Sequence, residues 1–155
     1  MFFALVDRES GLPGGVASLM RVVPEHGVIE VGHICLAPRM QRTRAASEMV
    51  FLFAERMFAA GYRRFEWKCD AANLRSRRAA ERFGFSFEGV FRSHMVVKGR
   101  NRDTAWFAMT DGDWPCLRAA WEAWLDPANF DAAGRQRRRL GALTAPCRVA
   151  SDSGG

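Results

Sequence analysis

The stretch Val28-Ile29-Glu30-Val31-Gly32-His33-Ile34-Cys35-Leu36-Ala37-Pro38-Arg39-Met40-Gln41-Arg42-Thr43-Arg44-Ala45-Ala46-Ser47-Glu48 changes its period half-way along. Up to Leu36 it is apolar and rich in β-branched residues, and Pro38 bounds it, which predicts a strand over 28–36. From Ala46 the apolar residues Ala46, Met49, Val50, Phe53 and Met57 recur at three- and four-residue steps, which predicts a helix. The loop between them carries Arg39, Arg42 and Arg44. A strand that passes through a polar loop into a helix N-terminus makes an anion site, because the first N–H groups lack intrahelical partners and the helix dipole is positive there. An ordinary capped helix with exposed arginines fits the same residues, and this stretch alone leaves both readings open.

Upstream, Phe2–Val6 is a short extended run, and Gly11, Pro13, Gly14 and Gly15 form a turn before a second strand over Val16–Val23. A further turn at Pro24–Gly27 leads into the strand at Val28, giving a three-stranded antiparallel meander. Downstream, Gly61 stands where a C′ glycine would end the helix. A strand is expected over Arg63–Cys69. Asn73 can cap a second helix with Ser76, Ala80 and Phe83 along one side, and Gly84 closes it. Phe85–Val97 and Thr104–Thr110 read as two strands around a turn at Lys98–Asp103. Trp114, Leu117, Trp121, Trp124 and Leu125 predict a last amphipathic helix. The order is β-β-β-α-β-α-β-β-α, an α+β class without internal repeats. The organisation expected is a domain over 1–125 and a C-terminal extension over 126–155. Its last dozen residues, ending Ser151-Asp152-Ser153-Gly154-Gly155, are expected to be disordered.

The 155 residues make one domain's worth of chain, with 48% hydrophobic and 26% charged residues, an ordinary globular balance. No apolar run approaches the roughly 20 residues a membrane span needs. Met1–Val6 is apolar but has no basic segment ahead of it and meets Asp7 and Glu9 at once, so no signal peptide is expected. Cys35, Cys69, Cys116 and Cys147 form no Cys-x-x-Cys pair, so neither a metal site nor a disulfide framework is expected and a reducing cytoplasm fits. The net charge of +6 is locally concentrated. Between Arg75 and Asp103 eight basic residues face three acids, which favours a polyanionic partner or a phosphate-rich ligand as much as a solvated surface.

Two strand-to-helix junctions thus lie about thirty residues apart, and the second reads Asn73-Leu74-Arg75-Ser76 with Gly84-Phe85 at its far end. This ordered set resembles the GCN5-related N-acetyltransferase (GNAT) superfamily. In that family a strand-loop-helix unit binds the coenzyme A pyrophosphate, and the next strand and helix carry an Asn-x-x-Ser…Gly-Phe pattern. The segments Glu30-Val31-Gly32-His33-Ile34, Ala46-Ser47-Glu48 and Trp106-Phe107-Ala108-Met109 look most like the branch of ribosomal-protein N-terminal acetyltransferases, RimJ and RimL. The resemblance covers Phe2 to Pro115. It implies a mixed, mainly antiparallel sheet flanked by helices. It also implies acetyl transfer from acetyl-CoA, without metal, to a primary amine: a protein N-terminal α-amine or a small-molecule amine. By the same resemblance acetyl-CoA would touch Ile34, Leu36, Gln41, Arg42, Thr43, Arg44, Ala45, Ala46, Asn73, Ser76 and Phe83.

Two departures stand out. Arg42 and Arg44 occupy positions where the family loop carries glycines, and binding is expected to survive if φ at the arginines is negative. The family also begins with a strand and one or two helices ahead of the meander, so this chain reads as N-terminally shortened. An edge bearing Phe2, Phe3, Leu5 and Val6 would favour self-association as a homo-oligomer, with Trp114–Leu125 as a second contact.

Acetyl transfer needs a neutral amine. An α-amine with pKa near 8 is about 10% neutral at pH 7, so a modest base suffices. The resemblance points to Glu30, whose competing reading is a surface carboxylate paired with an arginine. Strand N–H groups near Ile34 to Leu36 would hold the thioester carbonyl. The one tyrosine, Tyr62, follows the first helix, so Ser76 or a water held by Asn73 would supply the acid, or the thiolate leaves unprotonated. His33 reads as a core histidine, His94 as a strand residue toward the acceptor, Cys69 as packing, and Arg135–Arg139 as a solvated helix end rather than an RNA patch. Two other classes stay open at this point: a coenzyme A-binding remnant without catalysis, and a basic nucleic-acid-binding module. The second lacks both the aromatic strand signature and the helix-turn-helix spacing of known modules.

Overall fold

The computed structural model describes residues 1–8 and 10–152; Glu9 and, from the tail, Ser153, Gly154 and Gly155 lie outside the described residues. The elements follow the expected order: β1 (Phe2–Val6), β2 (Pro13–Val23), β3 (Val28–Leu36), α1 (Arg44–Ala59), β4 (Arg64–Asp70), α2 (Leu74–Phe83), β5 (Ser86–Val97), β6 (Arg100–Thr110), α3 (Trp114–Leu125) and a short α4 (Leu140–Thr144). The strands form a sheet in the order β1-β2-β3-β4-β6-β5, and the pairs β1–β2, β2–β3 and β5–β6 run antiparallel. The chain divides into two compact units, Met1–Phe65 and Glu66–Gly155. Among the described residues no helix is long and apolar enough to cross a membrane.

In the first unit the meander pairs Leu19 with Val31 and Met20 with Glu30. Side chains alternate across a strand, so Ala17, Leu19, Ile29 and Val31 share one face while Ser18, Met20, Glu30 and Gly32 share the other. The apolar face packs on α1, where Phe3 meets Phe53 edge-on at 5.2 Å. A one-residue slip would turn that whole set to the other face, which pins the register. Two bulges interrupt it. His33 and Ile34 together oppose Ala17, and Arg21 and Val22 together oppose Ile29. His33 and Arg21 take φ of +49° and +47° there.

In the second unit an aromatic stack builds the core. Trp67 lies 5.8 Å from Phe83 and 5.6 Å from Phe85, and Phe83 stacks on Trp121 at 5.9 Å. The Trp121 Nε1–H donates to Phe83 O at 3.1 Å, answering the polar end of a fully buried indole. Trp121 and Trp124 are thus core residues and present no surface for self-association.

Several expectations are corrected. The turn between β5 and β6 is only Lys98-Gly99, so β6 starts at Arg100 rather than Thr104. Cys116 and Cys147 form a disulfide, with Cα atoms 5.7 Å apart. Their 31-residue separation in sequence hides a proximity that only tertiary packing creates. The Arg135–Arg139 run is no helix end: Gln136 bridges Phe130, and Arg139 precedes α4. Up to Asp152 the tail is tied down. Val149 N–H donates to Ser86 Oγ at 3.0 Å, Thr144 Oγ1 donates to Arg82 O at 3.1 Å, and Arg77 on α2 forms a two-pronged ion pair with Asp152.

Gly84 ends α2 in the left-handed region at φ +98°, and a Cβ there would sit 2.4 Å from Leu117 Cδ2. Gly84→Ala should therefore cost about 2 kcal/mol or more of stability, from backbone strain plus overpacking. A urea unfolding midpoint unchanged from the parent would refute this.

Candidate functional site

The β3–α1 junction carries most of the expected site residues. Thr43 caps α1, its Oγ1 accepting the Ala46 N–H at 3.1 Å and donating to Met40 O at 2.8 Å. Ser47 Oγ donates to Thr43 O at 3.3 Å, and Gln41 Nε2 to Leu36 O at 3.0 Å. Gln41, Arg42, Arg44 and Ala45 are exposed along this turn, while Ala46 is buried. Ile34 and Leu36, both half-buried, close the strand on the downstream side of the His33 bulge. An extra residue in one strand breaks the ladder and re-aims backbone groups, and such bulges recur next to active sites.

Arg42 corrects the expectation of a negative φ: it stands at +63°, the left-handed conformation in which glycine is unstrained. The backbone path that glycine would give is kept, and an arginine is held on it.

Glu30 lies on the face of the meander that turns away from α1. It is 5% exposed, and its Oε2 lies 3.1 Å from Arg21 Nε. The bulge at Arg21 and Val22 is what brings this guanidinium to the carboxylate. Gly32 beside it has no room for a Cβ, which would meet Met20 Sδ at 2.6 Å. The large apolar cleft of this unit, about 870 Å³, lies elsewhere. It is bounded by Leu19 and Ile29 and by Leu52, Phe53 and Met57 of α1's second half, on the opposite face from Glu30.

The remaining expected residues lie in the second unit. Asn73 Oδ1 accepts the Ser76 N–H at 3.1 Å and so caps α2. Ser76 Oγ accepts from Trp67 Nε1 at 3.0 Å and is hydrogen-bonded to Cys69, so it joins β4 to α2. Burial pushes the Cys69 thiol up, the Ser76 bond offsetting part of the effect, and a thiol in that state is a poor nucleophile. Phe83 belongs to the aromatic core. His33, read as a core histidine, is instead exposed and stacks on Phe2 at 5.5 Å. His94 Nδ1 lies 2.9 Å from Thr104 Oγ1, with Phe91 and Trp106 at 5.6 and 5.9 Å. Sequence reasoning missed the cluster beside it. Lys68 pairs with Glu66 at 2.6 Å, both side chains under 10% exposed, and its Nζ lies 3.9 Å over the Trp106 ring. The alternation Glu66, Lys68 along a strand was the available signal. Among the described residues no three His, Cys, Asp or Glu side chains group to hold a metal.

Comparison with known proteins bears on the family. The family model for the acetyltransferase (GNAT) domain matches residues 1–86. The chain belongs to the GNAT family. A GCN5-related N-acetyltransferase structure from Brucella melitensis is 54% identical over 94% of this chain and 66% of its own, with a TM-score of 0.91. A GNAT-family structure from Chromobacterium violaceum is 46% identical over 74% of this chain and 58% of its own, with a TM-score of 0.71. The chain thus spans less than two thirds of the length of these GNAT relatives. No curated protein matches it.

The left-handed backbone at Arg42 makes a prediction of its own. A non-glycine residue there costs roughly 1–2 kcal/mol, of which glycine's extra chain entropy returns roughly 0.5–1. Arg42→Gly should raise stability by about 0.5–1 kcal/mol, while the β-branched Arg42→Val lowers it. Urea unfolding of the two variants checks the sign, and equal midpoints would refute the strain.

Proposed function

We propose that this GNAT chain is an N-acetyltransferase that moves the acetyl group of acetyl-CoA to a primary amine, with the pyrophosphate held at Gln41–Ala46. The observation that carries the reading is the β3–α1 junction, where a bulged strand, a left-handed Arg42 and a Thr43-capped helix start come together. The helix start favours phosphate through its dipole. Arg42 and Arg44 add charge-assisted donors, and backbone N–H groups at Ile34 and Leu36 are assigned to the thioester carbonyl.

Glu30 is the proposed base. The amine nitrogen attacks the thioester carbon, the C–S bond breaks, and the proton lost by nitrogen passes to Glu30 directly or through water. Arg21, with Nε 3.1 Å from Glu30 Oε2, would hold the carboxylate in place. Ser76, the other proposed catalytic residue, would have to release Trp67 or Cys69 to protonate the thiolate. Support for an acid role is accordingly weaker than for Glu30, and Asn73 supports the same helix start as its cap. The acceptor class we propose is an α-amine or small-molecule amine, in keeping with a RimJ/RimL-like branch. The exposed Phe2 and Val6 of β1 support a homo-oligomer. The Cys116–Cys147 bond removes the ground that scattered cysteines offer for a cytoplasmic setting. Non-catalytic coenzyme A binding and nucleic-acid binding are the outcomes the test must distinguish.

Calorimetry should show acetyl-CoA binding in the parent, weakened by several kcal/mol in Arg42→Glu/Arg44→Glu through lost hydrogen bonds and new repulsion. Glu30→Gln should bind acetyl-CoA normally yet lose about 10²-fold or more in kcat/KM with an amine acceptor. Unchanged affinity in the double glutamate variant, with the fold intact, would overturn the cofactor assignment. A Glu30→Gln variant as active as the parent would overturn the base.

A further inference from the structure

The far end of the β5–β6 hairpin, in the second unit, plays no part in that reaction scheme. Lys98 and Gly99 turn the chain with φ of +51° and +72°, the pair of left-handed residues a type I′ turn requires. Asp70, Val97, Lys98, Arg100, Asn101 and Arg102 bound a cleft of about 390 Å³ there. Three of these six are cations and one is an acid. Asp70 is already engaged, its Oδ1 accepting the Ala72 N–H at 2.9 Å. Asn101 is fixed by donating to Asp103 Oδ1 at 3.0 Å, an oxygen that also takes the Ser93 N–H at 2.7 Å. Those two bonds, the Ser93 N–H first, hold the Asp103 carboxyl below the usual range and keep that wall of the cleft in one shape.

Arg102 is the unexplained member. It is half-buried, its Nε is closed off from solvent, and its guanidinium finds no hydrogen bond or ion pair among the described residues. A charged donor withdrawn from water without an acceptor is costly, and the cost falls when an anion arrives. Its neighbours Lys98 and Arg100 are likewise without an ion pair among the described residues, so the cleft keeps a net charge of about +2 by that count.

We infer that this cleft is a binding site for a phosphate monoester, with Arg102 as the forked donor and Lys98 and Arg100 as flanking charges. A monoester carries about −1.5 to −2 charges at pH 7 and presents three acceptor oxygens, which matches the charge of the cleft where a single carboxylate would not. The planar guanidinium gives it two parallel donors. Such a phosphate can come from the 3′-phosphate of coenzyme A or from a phosphorylated acceptor. The inference stands on the cleft alone and does not require the acetyl-transfer reading to hold.

The test uses the Arg42→Glu/Arg44→Glu protein as background, so that phosphate binding at the β3–α1 junction does not contribute. Inorganic phosphate, titrated against chloride at constant ionic strength, should raise the unfolding temperature of that background dose by dose. Adding Arg102→Gln should abolish the rise, and Arg102→Lys, which keeps the charge without the fork, should leave a part of it. Lys98→Gln/Arg100→Gln, at exposed positions, should weaken the response at least ten-fold and serves if Arg102→Gln fails to fold. Calorimetry on the otherwise unmodified protein then separates the sources. If the coenzyme supplies the phosphate, coenzyme A binds at least ten-fold more tightly than dephospho-coenzyme A, and Arg102→Gln erases the difference. If the acceptor supplies it, the two coenzymes bind alike in both proteins while the phosphate response is still lost. No phosphate response in the background, or an undiminished one in a folded Arg102→Gln protein, overturns the site.

Discussion

Met40 seated against Gly14 is the contact on which the first unit's functional end depends. A Cβ at residue 14 would lie 2.3 Å from Met40 Cγ, so the methionine fits only because that position is glycine. With Met40 buried, the loop that follows β3 is held down at its middle. Ala37 N–H donates to Gly14 O at 2.9 Å and Arg39 donates to Pro13 O, so the start of β2 clasps both sides of the anchor. The remaining residues must then reach the helix in a short span. Arg42 takes up the reversal in the left-handed region, and Thr43 follows in extended backbone with its hydroxyl joining Met40 O to the Ala46 N–H. Strain of this kind persists where the surroundings over-determine it, and here the anchor and the cap do so from either side.

The second unit is held by a different means. Its β4 contributes Trp67, which touches Phe83, Phe85 and Ser76, so one side chain reads the start and the end of α2 together. Against the other side of that helix runs the chain after Asn129. The Cys116–Cys147 bond, the Arg77–Asp152 pair, and Arg148 with Nη1 2.9 Å from Glu81 Oε1 close over α2 in sequence. The Arg148 contact has the distance of an ion pair without good hydrogen-bond alignment, which leaves most of the hold to Arg77 and the disulfide. The position of Asn73 and Ser76 is thereby set by residues seventy positions downstream.

How far the sequence could be read follows from the range of the forces involved. β1 and β3 were legible to the residue because turn-formers bracket them and their composition is strand-like throughout. The caps at Thr43 and Asn73 and the stop at Gly84 are local chemistry and were equally plain for Asn73 and Gly84. The turn at Lys98 was legible but not its tightness: a lysine at a left-handed position gives no signal of the Asn-Gly kind, and the polar Arg100–Asp103 run disguises the start of β6. The bulges at Arg21 and His33 left no trace either, because a bulge is a relation between two strands rather than a property of one. The order of the tail up to Asp152 was hidden for the same reason. The bonds that tie it down run to α2, α3 and β5, with no periodicity of its own to announce them. At the site, the anion-binding junction was visible as a pattern, whereas the buried Glu66–Lys68–Trp106 cluster emerges only when β4 and β6 are laid side by side.

The excess of positive charge, locally concentrated along the sequence, is uneven in space as well. Arg21, Arg77, Arg118, Arg135 and Arg148 each face a carboxylate, and such pairs neutralise one another locally. Lys98, Arg100 and Arg102, at the tip of the β5–β6 hairpin, are left without an ion pair among the described residues. Exposed pairs contribute little to stability, so pairing there would have gained the fold little. Cations kept without carboxylates in such a cleft lose little by it in stability, and they keep their field for a ligand. Each unit thus carries one place where cationic charge and donor geometry coincide, and at Arg102 the donor is already out of water. A guanidinium so placed gains more from an arriving anion than any of the solvated arginines, because no bulk water competes for its Nε.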